Sequence, residues 1–514
     1  MRTIKPIEWT VLIFCCILGF TLRYYSFDHK SLWMDEIYTF NASRDTIKNQ
    51  IMSYQEDPTY LHPPLFFILN HLFYPFTKPE RDLRIVSLIF GTLSIPVFYF
   101  LSRLFSPQIA PLCTLSLTFM TYHISLSQEG RSYSMLMFIG MISLYFLMRY
   151  LKTGKIKYLL WVAIFYALLF HTSYSSIPFI LLSQLLWFYP RSEEYKNNFL
   201  SSFLILNSLT FLFCLPWILF IALNYKGQAV MTPFHTENPG TIITILYGII
   251  HDWVPFFPLM IISTLLLFLH PIVLKQKKSA LVLLAIFILP VGGLSLFCGL
   301  FKITHFISSK YFINFLPFFF LSLFLSLDAI ENKFGKFKKI PRLSFFFVLF
   351  FIASNLVLLP FYYRAEKEDL RGLVTYLKKQ LQDGDKIIVT SIDEISGILH
   401  YFGTFPKGRY HIISSRENNG KKEYETTFFY QNRAFTIHHS RECCTQYIAD
   451  GGRIWIVARK WLAIKLKEGS PAIFKGYFDG SFLNYNKFPV DASIYLFLWD
   501  PKSPNERGID ASIE

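Results

Sequence analysis

The feature that most restricts this chain is a succession of apolar runs, beginning with "IEWTVLIFCCILGFTLRYY", that fills most of the distance from Ile7 to Tyr362. A run of about 20 apolar residues matches the hydrocarbon thickness of a bilayer, and a helix crosses it without stranding backbone polar groups. Candidate spanning helices lie at 7–25, 83–104, 108–126, 133–151, 157–173, 175–190, 199–222, 254–274, 279–300, 311–328 and 343–362, about 11 in all. Phenylalanine supplies 56 of the 514 residues and charged residues only 17%, proportions that an ordinary soluble surface cannot hide. The first run has no small-residue cleavage site after it and reads as a retained helix.

A formal charge of +15 would suit a nucleic-acid binder, but the basic residues sit in short loops between apolar runs. The stretch "PPLFFILNHLFYPF", 63–76, is short and interrupted by Asn70 and His71, so it is placed flat or re-entrant at the interface. With that choice Arg103, the set Arg149, Lys152, Lys155 and Lys157, the cluster Lys275, Lys277 and Lys278, and "ENKFGKFKKIPR" all fall on the cytoplasmic side. The N-terminus is then inside and the C-terminus outside.

After residue 362 the composition turns mixed. "DLRGLVTYLKKQL" has apolar residues at helical spacing, and "DGDKIIVTS" and "GGRIWIVAR" read as turns leading into buried strands. The expected organisation is a membrane domain over 1–362 and an outer-face α/β domain over 363–514. Of seven cysteines, none has metal-ligand spacing.

This topology gathers ionisable residues at the outer membrane surface. "SLWMDEIYTF" sets Asp35 and Glu36 among Trp33, Met34, Ile37 and Tyr38, a partly apolar setting in which a carboxylate's proton affinity can be tuned for base work. The same large loop holds His62, ahead of two prolines that preset a helix entry. Other outer loops carry Gln128, Glu129 and Arg131; His235 and Glu237; His251 and Asp252; and Lys302, His305, Lys310 and Tyr311. A bland account exists for each: a solvated loop acid, or a snorkelling cation. His171 reads as a satisfied interior histidine, and adjacent Cys443 and Cys444 as structural.

Taken in order, "SLWMDEIYTF", "HPPLFFILNHLF", "RDLRIVSLIFGTLSIPVFYFLSRLF", "SQEGRSYSM" and "SSKYFINFLPFF" resemble the membrane glycosyltransferases of the GT-C fold. The match is to the bacterial branch related to protein O-mannosyltransferases and lipid A aminoarabinose transferases. It extends to "KEDLRGLVTYLKKQLQDGDKIIV", which resembles the start of that branch's soluble tail. The resemblance implies transfer of one sugar from a polyprenyl-phosphate carrier to a lipid, glycan or protein acceptor on the outer face of the cell membrane. It puts Asp35 at the reaction centre with Glu36 beside it, and makes Gln128, Glu129 and Arg131 a second cavity element. Lys310 and Tyr311 match the family's basic residue followed by Tyr. The family commonly has Arg where this chain has Lys310, which replaces a forked contact by a point charge.

On this view Lys310, Arg131 or Lys302 stabilises the phosphate on which charge develops, His62 lies with these donor-binding groups, and Asp35 deprotonates the acceptor, with inversion at the anomeric carbon. The chemistry requires no cofactor, since the leaving phosphate is already a stable anion; a divalent cation on Asp35, Glu36 and Glu129 is the alternative. A transporter or flippase of lipid-linked sugars is the rival function. It predicts charges in mid-span and repeat symmetry, whereas here the charges lie at the outer ends and no repeat is seen. A polymerase or ligase of whole lipid-linked glycans shares the same fold logic.

Overall fold

The computed structural model describes residues 5–44, 46–56, 62–189, 199–224, 241–274, 277–301, 308–334, 343–404, 414–418, 421–440, 452–469, 472–480 and 492–502. They form two compact units. One comprises Met1–Phe27, Gln50–Phe73 and Arg84–Tyr363; the other Asp28–Asn49, Tyr74–Leu83 and Arg364–Glu514. The chain passes from the first to the second next to the expected boundary at 362. The second unit also takes in two pieces of the first loop, which the expected division left with the membrane domain.

In the first unit, seven helices among the described residues are long and apolar enough to cross a membrane: Pro6–Tyr24, Pro79–Phe105, Tyr133–Thr153, Phe199–Asn224, Lys277–Leu300, Ser309–Lys333 and Leu343–Arg364. Helices Ile242–Trp253 and Phe257–Val273 meet at 119° and make an eighth if taken as one broken span, and shorter apolar helices are Ala110–Phe119, Lys157–Thr172 and Tyr174–Phe188. The helix Ser309–Lys333 lies at the centre, 83% buried over its most apolar window, whereas Phe199–Asn224 is only 17% buried and shows Leu200, Leu204, Phe211 and Leu223 outward, as suits lipid. Around the central helix the phenylalanines form the core: Phe320 packs against Phe98, Phe319, Phe324 and Phe351.

Small residues bring the helices close. A Cβ on Gly91 would stand 2.1 Å from Ser127 Oγ and 2.5 Å from its Cβ, so that position needs glycine; one on Gly19 would meet the tip of the Ile95 side chain. Ser102 and Thr114 return their hydroxyls to Phe98 O and Ala110 O, so these two hydroxyls are satisfied within their own helices.

The third expected span, 108–126, is broken. Helix Ala110–Phe119 ends at Met120, which is extended at φ −66° and ψ 105°, and helix Thr121–Ser127 restarts at once. A break strands carbonyls and amides that lipid cannot satisfy. Here Arg23, fully buried in the first helix, donates to Leu117 O at 2.9 Å and Thr118 O at 3.2 Å. From the last helix, Asn355 accepts the Thr121 N–H at 2.8 Å and its carbonyl accepts the Thr121 hydroxyl. Arg23 also donates to His123 Nδ1 at 2.8 Å, which requires a neutral imidazole unprotonated at that nitrogen. Residues 63–76 contain only the short helix Leu65–His71, with Pro64 as its N-cap.

The second unit is α/β, as expected. Its strands are β1 (Lys386–Val389), β2 (Ser414–Asn418), β3 (Lys421–Tyr430), β4 (Arg433–His439), β5 (Ile454–Arg459), β6 (Ile473–Phe478) and β7 (Ile494–Trp499), in the order β2-β3-β4-β1-β5-β7-β6. β1 runs parallel to β4 and β5, and the outer pairs are antiparallel. Both faces are covered, which is why β1 and β5 read as continuous apolar runs. One face packs Ile387, Val389, Ile437, Trp455 and Val457 with Leu370, Leu373, Leu377, Ile395 and Ile398 of helices Leu370–Gln380 and Ile392–Phe402; Leu32, Ile37 and Leu83 join that core. The other packs Ile388, Ile454 and Ile456 with Leu462, Ala463 and Leu466 of helix Lys460–Gly469.

Candidate active site

The residues named from sequence fall into both units. Lys302, like His235, Glu237 and the Cys443–Cys444 pair, lies outside the described residues.

In the helical unit, "SQEGRSY" is a turn fastened at both ends. Gln128 donates both amide hydrogens to carbonyls at the end of the first helix, Arg23 O at 2.9 Å and Tyr25 O at 2.8 Å, so its donors are committed to holding the turn. Further on, Arg131 O accepts from Ser87 Oγ at 2.9 Å, and Ser134 Oγ donates to Ser87 O at 2.9 Å. Inside the turn the Arg131 N–H meets Glu129 O at 2.7 Å. Glu129 and Arg131, both half-buried, thus ride on a backbone with little freedom.

Lys310 sits on the 3-10 segment Ser309–Phe315 with its ammonium 5.4 Å from the centre of the Tyr133 ring and 5.5 Å from that of Tyr311. The two rings meet edge to face at 6.3 Å, and both present their π faces to the ammonium. The preceding residue, Ser309, donates to the carboxylate of Asp252 and lies 2.7 Å from the Tyr122 hydroxyl. With Asp252 ionised, Tyr122 must be the donor to Ser309. Glu129, Asp252 and Tyr133 all lie within electrostatic reach of Tyr122. His62, half-buried, stands edge-on to Phe67 at 6.4 Å. His171 meets Phe213 O at 3.2 Å.

In the α/β unit, Asp35 is the second residue of helix Met34–Ser43 and half-buried; Glu36, the third, is 1% exposed. Glu36 turns back to accept the Trp33 N–H at 3.4 Å, so it serves the helix start. The backbone ahead of Asp35 is held from the far end of the sequence. Ser31 N–H donates to Glu366 at 2.9 Å, Leu32 N–H to the Tyr401 hydroxyl at 2.7 Å and Met34 N–H to Glu368 at 3.1 Å. Arg371 donates to His29 O, and the Lys367 ammonium lies 3.6 Å from the centre of the Trp33 ring. Burial pushes the Glu368 carboxyl up, and Arg459 at 3.1 Å opposes that push. Burial likewise raises Glu394 to about 7 against the same guanidinium, 2.7 Å away.

Sequence reasoning missed Tyr133, Tyr122, Glu366, Glu368 and Arg459. The one available signal was the aromatic beside each basic residue in "GRSY" and "SKYF". Among the described residues no group of three or more His, Cys, Asp or Glu is placed to hold a metal ion.

Residues 61–220 match the family model for dolichyl-phosphate-mannose-protein mannosyltransferase. Against solved structures the chain is similar to ArnT from Cupriavidus metallidurans in the apo state, at 11% identity and a TM-score of 0.53, with 96% of this chain and 98% of that one covered. The chain has the fold of the GT-C membrane glycosyltransferases. ArnT bound to undecaprenyl phosphate gives the same coverage and identity with a TM-score of 0.52. The archaeal oligosaccharyltransferase AglB from Archaeoglobus fulgidus, in complex with an inhibitory peptide and a dolichol-phosphate, is 13% identical over 77% of this chain and 63% of its own, with a TM-score of 0.42. No curated protein matches the chain. The GT-C fold together with the apolar helices makes this an integral membrane protein.

Proposed function

We propose that this GT-C chain is an inverting glycosyltransferase that moves a single sugar from a polyprenyl-phosphate carrier to a lipid, glycan or protein acceptor at the outer face of the membrane, with its N-terminus cytoplasmic. The observation that carries the reading is the likeness in fold, over nearly the whole of both chains, to an enzyme crystallised with undecaprenyl phosphate. The placement of Lys310 supports it. A cation held by two aromatic faces beside a buried serine–carboxylate pair is suited to meeting a phosphate at the membrane interface.

In the reaction the acceptor oxygen attacks the anomeric carbon as the bond from that carbon to the phosphate oxygen breaks. The electron pair leaves with the carrier phosphate, where Lys310 and Arg131 offset the charge that develops. Asp35 takes the acceptor's proton, a contribution typically worth ~10²–10⁴ in rate. A single displacement opposite the leaving phosphate inverts the anomeric centre. No metal is required in this scheme.

The test uses the full chain, intact and as Asp35→Asn, supplied with a mixed set of radiolabelled polyprenyl-phosphate sugars and a membrane extract. Release of the carrier by the intact protein and a loss of about a hundredfold in the variant supports the reading. Equal release from both removes Asp35 from the mechanism. Movement of the intact lipid-linked sugar across a vesicle membrane without cleavage replaces the transferase with a flippase.

A further inference from the structure

A helix start leaves its first backbone N–H groups without intrahelical partners, and an N-cap Ser, Thr, Asp or Asn normally accepts one of them. Helix Met34–Ser43 has Trp33 in that place, which offers no acceptor. One of those first N–H groups, that of Met34, is taken from 334 positions away by Glu368 Oε2 at 3.1 Å. Its other oxygen, Oε1, takes Arg459 Nη2 at 3.1 Å; Arg459 Nε reaches Glu394 Oε1 at 2.7 Å and its Nη1 donates to Ala492 O. Glu368 is therefore fixed through both oxygens, one by a guanidinium at the end of β5 and one by the amide next to Asp35.

We infer that Glu368 is a positioning residue for Asp35, a clamp by which the α/β unit sets the backbone that carries the proposed base; this rests on the transferase reading above. Glu368 is 3% exposed, and a buried ion pair of this kind is a weak stabiliser that an apolar pair of the same shape often equals. What the pair supplies is geometry. The flanking bonds act in the same sense: Glu366 holds Ser31, Tyr401 holds Leu32, and Lys367 covers the Trp33 ring. Every residue from Ser31 to Met34 thus has a partner in 366–401 or in Glu36. A displacement of the order of 1 Å in a reacting group costs as much as about a hundredfold in rate, so a clamp one residue from the base has leverage on catalysis.

The experiment uses the full chain as wild type, Glu368→Gln and Glu368→Ala. Amide hydrogen exchange is read over 31–36, and carrier release is read with whichever polyprenyl-phosphate sugar of the mixed set the wild type cleaves. Glu368→Gln keeps an acceptor oxygen for Met34, and Glu368→Ala removes it. The expected result for Glu368→Ala is exchange over 31–36 about tenfold faster with β1 and β5 unchanged, together with a kcat about tenfold lower at a KM for the donor within about twofold of wild type. Glu368→Gln keeps the acceptor for Met34 but turns an NH2 toward Arg459, so its exchange and kcat are expected to lie between those of Glu368→Ala and wild type. Wild-type exchange over 31–36 in Glu368→Ala, or wild-type kcat where Asp35→Asn is dead, overturns the clamp. If the wild type cleaves no donor, the transferase reading falls and the exchange data alone decide the clamp. Should Glu368→Ala fail to fold, Arg459→Lys, which keeps the charge but loosens the far oxygen, takes its place with the same directions expected.

Discussion

Ser309 gives its hydroxyl hydrogen to the buried carboxylate of Asp252, on a different helix, and Lys310 follows directly in the chain. Removing the hydroxyl leaves Asp252 and Tyr122 each without a partner they now have. Ser309→Ala is expected to lower stability by about 1–3 kcal/mol and to weaken donor use, because the segment that carries Lys310 loses its anchor. Thermal unfolding in detergent measures the first effect and the KM for the donor the second; an unchanged KM would separate Asp252 from the phosphate site.

Lys310 itself is expected to act on the donor's phosphate. Lys310→Ala should lower carrier release about tenfold or more, while Lys310→Arg keeps the charge and most of the activity. Tyr133→Phe retains a ring face for the ammonium and should stay near wild type, whereas Tyr133→Ala should lose about 0.5–2 kcal/mol of the cation's stabilisation. Steady-state release assays on the four variants read this directly.

The break at Met120 carries its own prediction. Asn355→Ala removes the acceptor of the Thr121 N–H and Arg23→Met strands the carbonyls of Leu117 and Thr118, so each should cost about 1–3 kcal/mol, with Arg23→Met the larger because it loses more bonds. Unfolding midpoints compared with a neutral lipid-facing substitution such as Leu223→Ala provide the measure.

In the α/β unit, burial, with Arg44 adding to it, holds His400 down to about 4. An unfolded chain takes up the proton near the ordinary histidine value of about 6.5, so stability present above that pH is lost as the pH falls toward 4. Allowing for the partial exposure of the ring, the loss is about 2 kcal/mol. The fall in stability between pH 6.5 and 4.5 should be smaller in His400→Gln by about that amount, and an identical fall in both proteins would remove His400 from the acid response.

Much of this was legible in the sequence, for reasons that differ from part to part. The long spans were readable because lipid demands long apolar helices, though the expected 108–126, 157–173 and 175–190 are shorter helices among the described residues; β1 and β5 were readable because a strand buried on both faces is apolar throughout. The 108–126 segment showed its composition but not its break, since Met120 is an ordinary residue and the bonds that stabilise an extended backbone there come from Arg23 and Asn355, both remote in sequence. Lys310 and Tyr311 were visible as a pair, while Tyr133 was not, since its contact with Lys310 spans two segments remote in sequence. Glu366 and Glu368 were not legible, because what makes them partners of the Asp35 loop is a fold that brings together segments 335 and 334 positions apart.

The clamp on the Asp35 loop also has a timetable. Met34 leaves the ribosome 334 residues before Glu368 does, and at about 5–20 residues per second this interval is roughly 17–67 s. Through that time the helical unit is being inserted while Asp35, the proposed base in the α/β unit, still lacks the groups that hold it. The protein is therefore expected to enter the membrane silent and to become competent only when its last third has been made, so that a chain cut short by a stalled ribosome is idle instead of active without control.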